Sequence, residues 1–123
     1  MLPLCFSFCE LLRIFVRIYI YFSDMVKHIV LFQLKAELEV QQKQEIAENF
    51  RRGILALPAD IPFIRKIEVA FNINPAEKYD IALYSEFDSL ADVKAYGVHP
   101  SHVAVASELI PHVASRACTD YEV

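Results

Sequence analysis

Four stretches of strand-like alternation, interleaved with two stretches of helical period, restrict this 123-residue chain to very few topologies. From Lys27 to Lys35, His28, Val30, Phe32 and Leu34 fall on one face and Ile29 and Leu31 on the other. That is the pattern of a strand buried on one side and partly covered on the other. Between about Glu39 and Leu57, Val40, Ala47, Phe50, Ile54 and Leu57 recur at sevens, threes and fours among Gln, Lys, Glu and Arg, which predicts an amphipathic helix ended by Pro58. Gly53 inside it costs about 1 kcal/mol relative to alanine and is expected to mark close packing against the sheet. A second alternation sets Ile67, Val69, Phe71 and Ile73 against Lys66, Glu68, Ala70 and Asn72. A third, after the Asn74-Pro75 turn, sets Tyr79, Ile81, Leu83 and Phe87 against Asp80, Ala82, Tyr84 and Glu86, as a hairpin partner. Ser89 and Asp92 resemble a capping box that opens a short helix through Tyr96. His99-Pro100 breaks and restarts that helix, Pro111 kinks or ends it, and Arg116 to Tyr121 alternates again. The order is β-α-β-β-α-β, the split βαβ arrangement, with both helices on one face of a four-stranded antiparallel sheet.

That frame leaves one sheet face without helices. Ile29, Leu31, Ala70, Ala82 and Tyr84 point that way among charged residues, a mixture too apolar for open water and too polar for a core. The simplest solution is a homodimer, sheet against sheet, forming a shared barrel. A small-molecule pocket would then lie between each sheet and its own helices.

Charge and cysteine usage narrow the possible partners. The net charge is −4, and the 12 basic residues are scattered rather than clustered, so the electrostatic footprint of a nucleic-acid binder is missing. The three cysteines, Cys5, Cys9 and Cys118, have no zinc-type spacing and do not suggest a disulfide scaffold, which fits a reducing cytoplasm. Residues 1–24 differ in composition from the rest. They are rich in Leu, Ile, Phe and Tyr, yet Glu10, Arg13 and Arg17 interrupt them, so no run of about 18 uncharged apolar residues exists to span a bilayer. A secretory signal would need a basic start and a small-residue cleavage site, and neither is present. The segment reads as an extension upstream of a working start at Met25, ahead of an added apolar element or an interfacial anchor. Residues 25–123 then form the domain.

The densest titratable chemistry lies in Tyr96-Gly97-Val98-His99-Pro100-Ser101-His102-Val103. Proline is favoured just inside a helix start, so His99 precedes the helix and His102 sits in its first turn, near the positive end of the dipole. That position disfavours the imidazolium and favours a neutral ring able to accept a proton. Each residue also has a structural reading: His28 as a hydrogen-bonded core histidine, Tyr96 as an anchor of the helix break with its hydroxyl on a backbone carbonyl, and His99 as a cap. The three-residue spacing of His99 and His102, with His28 as a third nitrogen, suggests a metal site as a rival. His99 lies outside the helix, however, and no cysteine or carboxylate completes the set, so neither a metal nor a cofactor is expected.

Met25 to Phe32, the strand from Tyr79 to Phe87, Ala95-Tyr96 with the His99 to Val103 elbow, and the closing Asp120-Tyr121 together resemble the stress-responsive A/B barrel (Dabb) proteins, over essentially all of residues 25–123. The resemblance implies an α+β ferredoxin-like fold of the dimeric α/β barrel type, linked by name to stress responses and mostly without an assigned reaction. A plant branch is implied to act as polyketide cyclases, closing linear poly-β-ketones by aldol chemistry. Its acid/base pair would fall on Tyr96 and His102 and its pocket histidine on His28, while a further pocket histidine falls where this chain has Ile81. Such chemistry needs a base for the acidic proton between two carbonyls and a donor for the developing enolate.

Three functions follow. The first is a homodimeric protein binding a small hydrophobic molecule, with His28, Phe32 and Phe50 as the lining and no assigned reaction. The second is a cyclase- or isomerase-like enzyme with His102 as base and Tyr96 as donor. The third, a heme- or quinol-directed monooxygenase, is weaker because no cofactor motif is visible.

Overall fold

In the computed structural model the described residues are 9–13 and 25–123. Residues 9–13 are helical. The expectation that residues 1–24 form an extension outside the domain falls largely outside the described residues. The domain runs β1 (Val26–Leu34), α1 (Val40–Leu55), β2 (Lys66–Phe71), β3 (Ile81–Phe87), α2 (Leu90–Val98), α3 (Pro100–Leu109) and β4 (Val113–Glu122), with single 3-10 turns at Leu57–Ala59 and Ile110–His112. The four strands pair antiparallel in the order β2-β3-β1-β4, so the predicted β-α-β-β-α-β topology is present, with the second helix broken in two.

The alternation of β1 does what its sequence predicts. Val26, His28, Val30 and Leu34 are buried, and the residues between them are half-covered. Ile81, Leu83, Ser85 and Phe87 of β3 are buried on the same side. Helix α1 lays Ala47, Phe50 and Ile54 over these strands.

Three sequence expectations shift in detail. Val40, expected on the apolar face of α1, is 74% exposed at the first position of the helix. Ile73 is 97% exposed, because β2 ends at Phe71 and the alternation runs on into a turn. Strand β3 starts at Ile81 rather than Tyr79. Asp80 instead accepts the Leu34 N–H on its carboxylate at 2.7 Å and donates its own N–H to the Phe32 carbonyl, so a side chain serves the end of β1, where the β1–β4 register shifts at Gln33/Leu34.

Gly53 marks a close approach, but to α3 rather than to the sheet. A Cβ there would lie 2.9 Å from Val105 Cγ1 and 3.0 Å from Cγ2. Alanine gains about 1 kcal/mol of helix propensity, whereas overpacking costs about 1–3 kcal/mol. Valine is stiff about χ1 and yields poorly. Gly53→Ala is therefore expected to lower stability by about 1 kcal/mol. In a Val105→Ala background the same change is expected to become neutral or stabilising, as measured by denaturant titration of the four-member cycle.

Candidate functional site

The break between α2 and α3 is built from local chemistry. Ser89 caps α2 by accepting the Asp92 N–H. Gly97 and Val98 end that helix. His99 adopts extended backbone, and its Nδ1 accepts the Ser101 N–H at 3.1 Å, capping α3 ahead of Pro100. Ser101 Oγ donates to Asp60 at 3.1 Å, tying the start of α3 to the turn after α1. His99 is therefore a capping residue, as its structural reading had it.

This elbow overhangs a cavity of about 250 Å³ between the helices and the sheet. His28, Phe32, Phe50, Tyr96 and His102, the five residues singled out from the sequence, all line it, together with Gly97 and Arg116. Phe32 and Phe50 meet edge to face at 5.5 Å between centroids. The Tyr96 ring is 1% exposed and stacks in a chain of rings: 5.1 Å from Phe87, 6.2 Å from His28 and 4.4 Å from His102. Its hydroxyl is buried and has no hydrogen-bond partner among the described residues, contrary to the expectation of a backbone carbonyl. Burial pushes the phenol's pKa well above its ordinary value, so it remains a neutral donor.

His102 is half-buried, and its Nδ1 lies 3.0 Å from the Gly97 carbonyl oxygen. A carbonyl only accepts, so Nδ1 carries the proton and the neutral ring keeps its lone pair on Nε2. Its pKa is lowered. Burial is the largest cause, and electrostatic interaction with His28, Arg116 and His99 adds to it, while the Gly97 hydrogen bond opposes it. A neutral His102 is expected from the helix dipole, and in the fold desolvation is its main cause.

His28, 8% exposed, has a partner that sequence reasoning missed. Its Nδ1 donates to Asp120 Oδ1 at 2.5 Å, and Cys118 Sγ lies 3.7 Å from the same nitrogen. Residues 28 and 120 are Cα partners across the β1–β4 ladder, 92 positions apart, so no local pattern could have paired them. His28, Cys118 and Asp120 are the described residues whose ligand atoms would suit a metal, all within 4.8 Å of one another. A zinc shell with metal–ligand bonds of about 2.0–2.3 Å holds its donors more than 3 Å apart. The 2.5 Å contact is therefore a hydrogen-bonded His–Asp pair, and these side chains would have to separate to admit an ion. Among the described residues the ligand atoms of His28, His99 and His102, the set weighed from spacing, are not a grouping that converges as those of His28, Cys118 and Asp120 do.

A Cβ at Gly97 would meet nothing within 4 Å. Among the described residues no helix is long and apolar enough to cross a membrane.

Residues 26–123 match the family model described as the Stress responsive A/B Barrel Domain. No curated protein matches the chain. Among solved structures, a dimeric ferredoxin-like protein of unknown function from Bacteroides fragilis is 55% identical, with a TM-score of 0.78 over 80% of this chain and 96% of that one. A dimeric ferredoxin-like protein of unknown function from Thermobifida fusca is 24% identical, with a TM-score of 0.69 over 81% and 92% of the two chains. The hydroxynitrile lyase of Passiflora edulis is 22% identical, with a TM-score of 0.63 over 80% and 93%, a likeness of fold alone.

Proposed function

The chain belongs to the stress-responsive A/B barrel family, and on that premise we propose that it works as a homodimer whose cavity binds a small, mostly apolar carbonyl compound and removes a proton beside the carbonyl. The observation that carries this reading is the Tyr96 hydroxyl. A buried donor without a partner costs about 1–3 kcal/mol, and a ligand oxygen that reaches it once the side chains over it yield would satisfy it. At about 250 Å³ the space lies just below the roughly 300–1,000 Å³ common for ligand sites, which favours a compact molecule. Its walls are mainly aromatic and aliphatic.

The proton transfer assigned to the site is simple. His102 Nε2 takes a proton from the carbon beside the carbonyl, and the C–H electron pair becomes the enolate. The enolate oxygen is held by the Tyr96 O–H. Protonation at another carbon gives an isomer, and attack on a second carbonyl of the same molecule closes a ring. A fold that carries a hydroxynitrile lyase in Passiflora edulis is compatible with an enzyme. Ethyl benzoylacetate, a neutral β-keto ester, tests the reading. The expected result is saturable movement of the Tyr96 and His102 NMR signals and protein-dependent deuterium exchange at the carbon between its carbonyls. A compound that moves neither signal at millimolar concentration would count decisively against it.

The dimer reading rests on the helix-free face. Register places Ala70, Ala82, Leu31 and Ala117 in one row and Glu68, Tyr84, Ile29 and Thr119 in the next. Lys27 and Lys66 lie over the Tyr84 ring at its border, 5.7 Å from the centroid. The described relatives from B. fragilis and T. fusca are dimeric, which supports sheet-to-sheet pairing here. Light scattering at micromolar concentration should return twice the 14.1 kDa chain mass, and Leu31→Glu should return the monomer. A wild-type monomer would refute the pairing. The free Cys118 accords with a cytoplasmic setting.

A further inference from the structure

The polar inventory of the cavity is one-sided. Its lining holds no Asp or Glu, and its polar side chains are His28, Tyr96, His102 and Arg116. Tyr96 offers a hydroxyl proton and His102 offers a neutral ring, so neither supplies negative charge. The carboxylate of Asp120, near the cavity, is engaged by His28 Nδ1 and lies outside the lining.

Arg116 completes this set from the opposite wall. It sits on β4, the edge strand beside β1, with Phe32 as its Cα partner, and so faces the helices from the strand they cover least. Its guanidinium has no hydrogen-bond or ion-pair partner among the described residues. Arg65, by contrast, is paired with Asp88, Arg52 donates to Asn49, and Arg51 lies over the Phe71 ring. It is close enough to His102 to bear on that imidazole electrostatically. A guanidinium presents a planar fork of donors that matches a carboxylate in a bidentate pair. An apolar cavity with the solvent-exposed, unpaired Arg116 in its lining and no acid there suits a molecule with an apolar body and an anionic head.

We infer that the ligand is a small carbonyl-containing acid, an aryl or alkyl keto acid, whose carboxylate pairs with Arg116 while its carbonyl oxygen accepts the Tyr96 hydroxyl proton. This deepens the proposed function and rests on it. The carboxylate fixes which end of the molecule enters first and presents the carbon beside the carbonyl to His102 Nε2. Arg116 binds and positions, and takes no part in the proton transfer.

The test is a matched pair of probes, β-benzoylpropanoate and its methyl ester, which share body and carbonyl and differ in the charge. Calorimetric titration should show the acid binding about tenfold tighter than the ester at low salt, with the advantage shrinking as ionic strength rises, because the arginine is reached from solvent. In Arg116→Gln the acid-to-ester ratio should fall to about one, and in Arg116→Lys it should recover in part, since charge returns without the bidentate fork. Circular dichroism of each variant checks that the edge strand is intact. Equal binding of the two probes by wild type would overturn the inference, and so would an acid preference that survives in Arg116→Gln. If ethyl benzoylacetate binds and exchanges while the acid has no advantage, the anion reading fails and the carbonyl reading stands. If no probe binds, both fall.

Discussion

His102→Ala is expected to remove protein-dependent deuterium exchange into ethyl benzoylacetate, by about 10²–10⁴-fold, the range a positioned general base contributes. It should leave the melting temperature almost unchanged. The ring is half-buried, and among the described residues its hydrogen bond goes to Gly97 at the elbow, so its loss opens the cavity without breaching the core. The wild-type rate should climb with pH through a midpoint below the ordinary histidine value of 6.5 and then level off, because burial lowers the folded pKa. The linkage has a definite sign. A histidine depressed by folding contributes stability that is fully present above 6.5 and lost as pH falls through the lower folded value. Stability and activity should therefore decline together on the acid side. Wild-type exchange in the alanine variant would remove His102 from the reaction.

Tyr96→Phe is expected to separate stability from function. The free hydroxyl is desolvated without return, so its deletion should stabilise the protein by about 1–2 kcal/mol and raise the melting point by several degrees. The ring contacts with Phe87, His28 and His102 persist in phenylalanine. The same change should slow exchange by about 10²–10³-fold, the range seen when one donor to a developing oxyanion is removed. A variant that is less stable than wild type would show that the hydroxyl has a structural partner, and the case for a ligand oxygen would then go.

Periodicity made most of the frame readable, because burial acts on alternation directly: His28, Val30 and Leu34 had to share a face whatever they packed against. The helix break was readable for a similar reason, since Pro100 and the capping His99 act within two residues. Long-range register was not readable. The pairing of His28 with Asp120 and the arrival of Arg116 at the cavity both depend on β4 lying beside β1, and no residue in either strand announces that register. The reason for Gly53 was also hidden, because only the fold sets Val105 against it. Val40 misled because periodicity says which way a residue faces and not whether a neighbour reaches that far.

Gly97 bears on how such a cavity diversifies. It stands in the last turn of α2 and lines the cavity, yet a side chain there would strike nothing. Alanine would add about 1 kcal/mol of helix propensity, so the glycine sacrifices rigidity for room. One codon at this elbow can thus act as a size dial. On the proposed reading larger residues would shorten the molecule admitted, while the sheet and the other lining residues stay as they are. Selectivity can then drift in descendants without any renegotiation of the architecture.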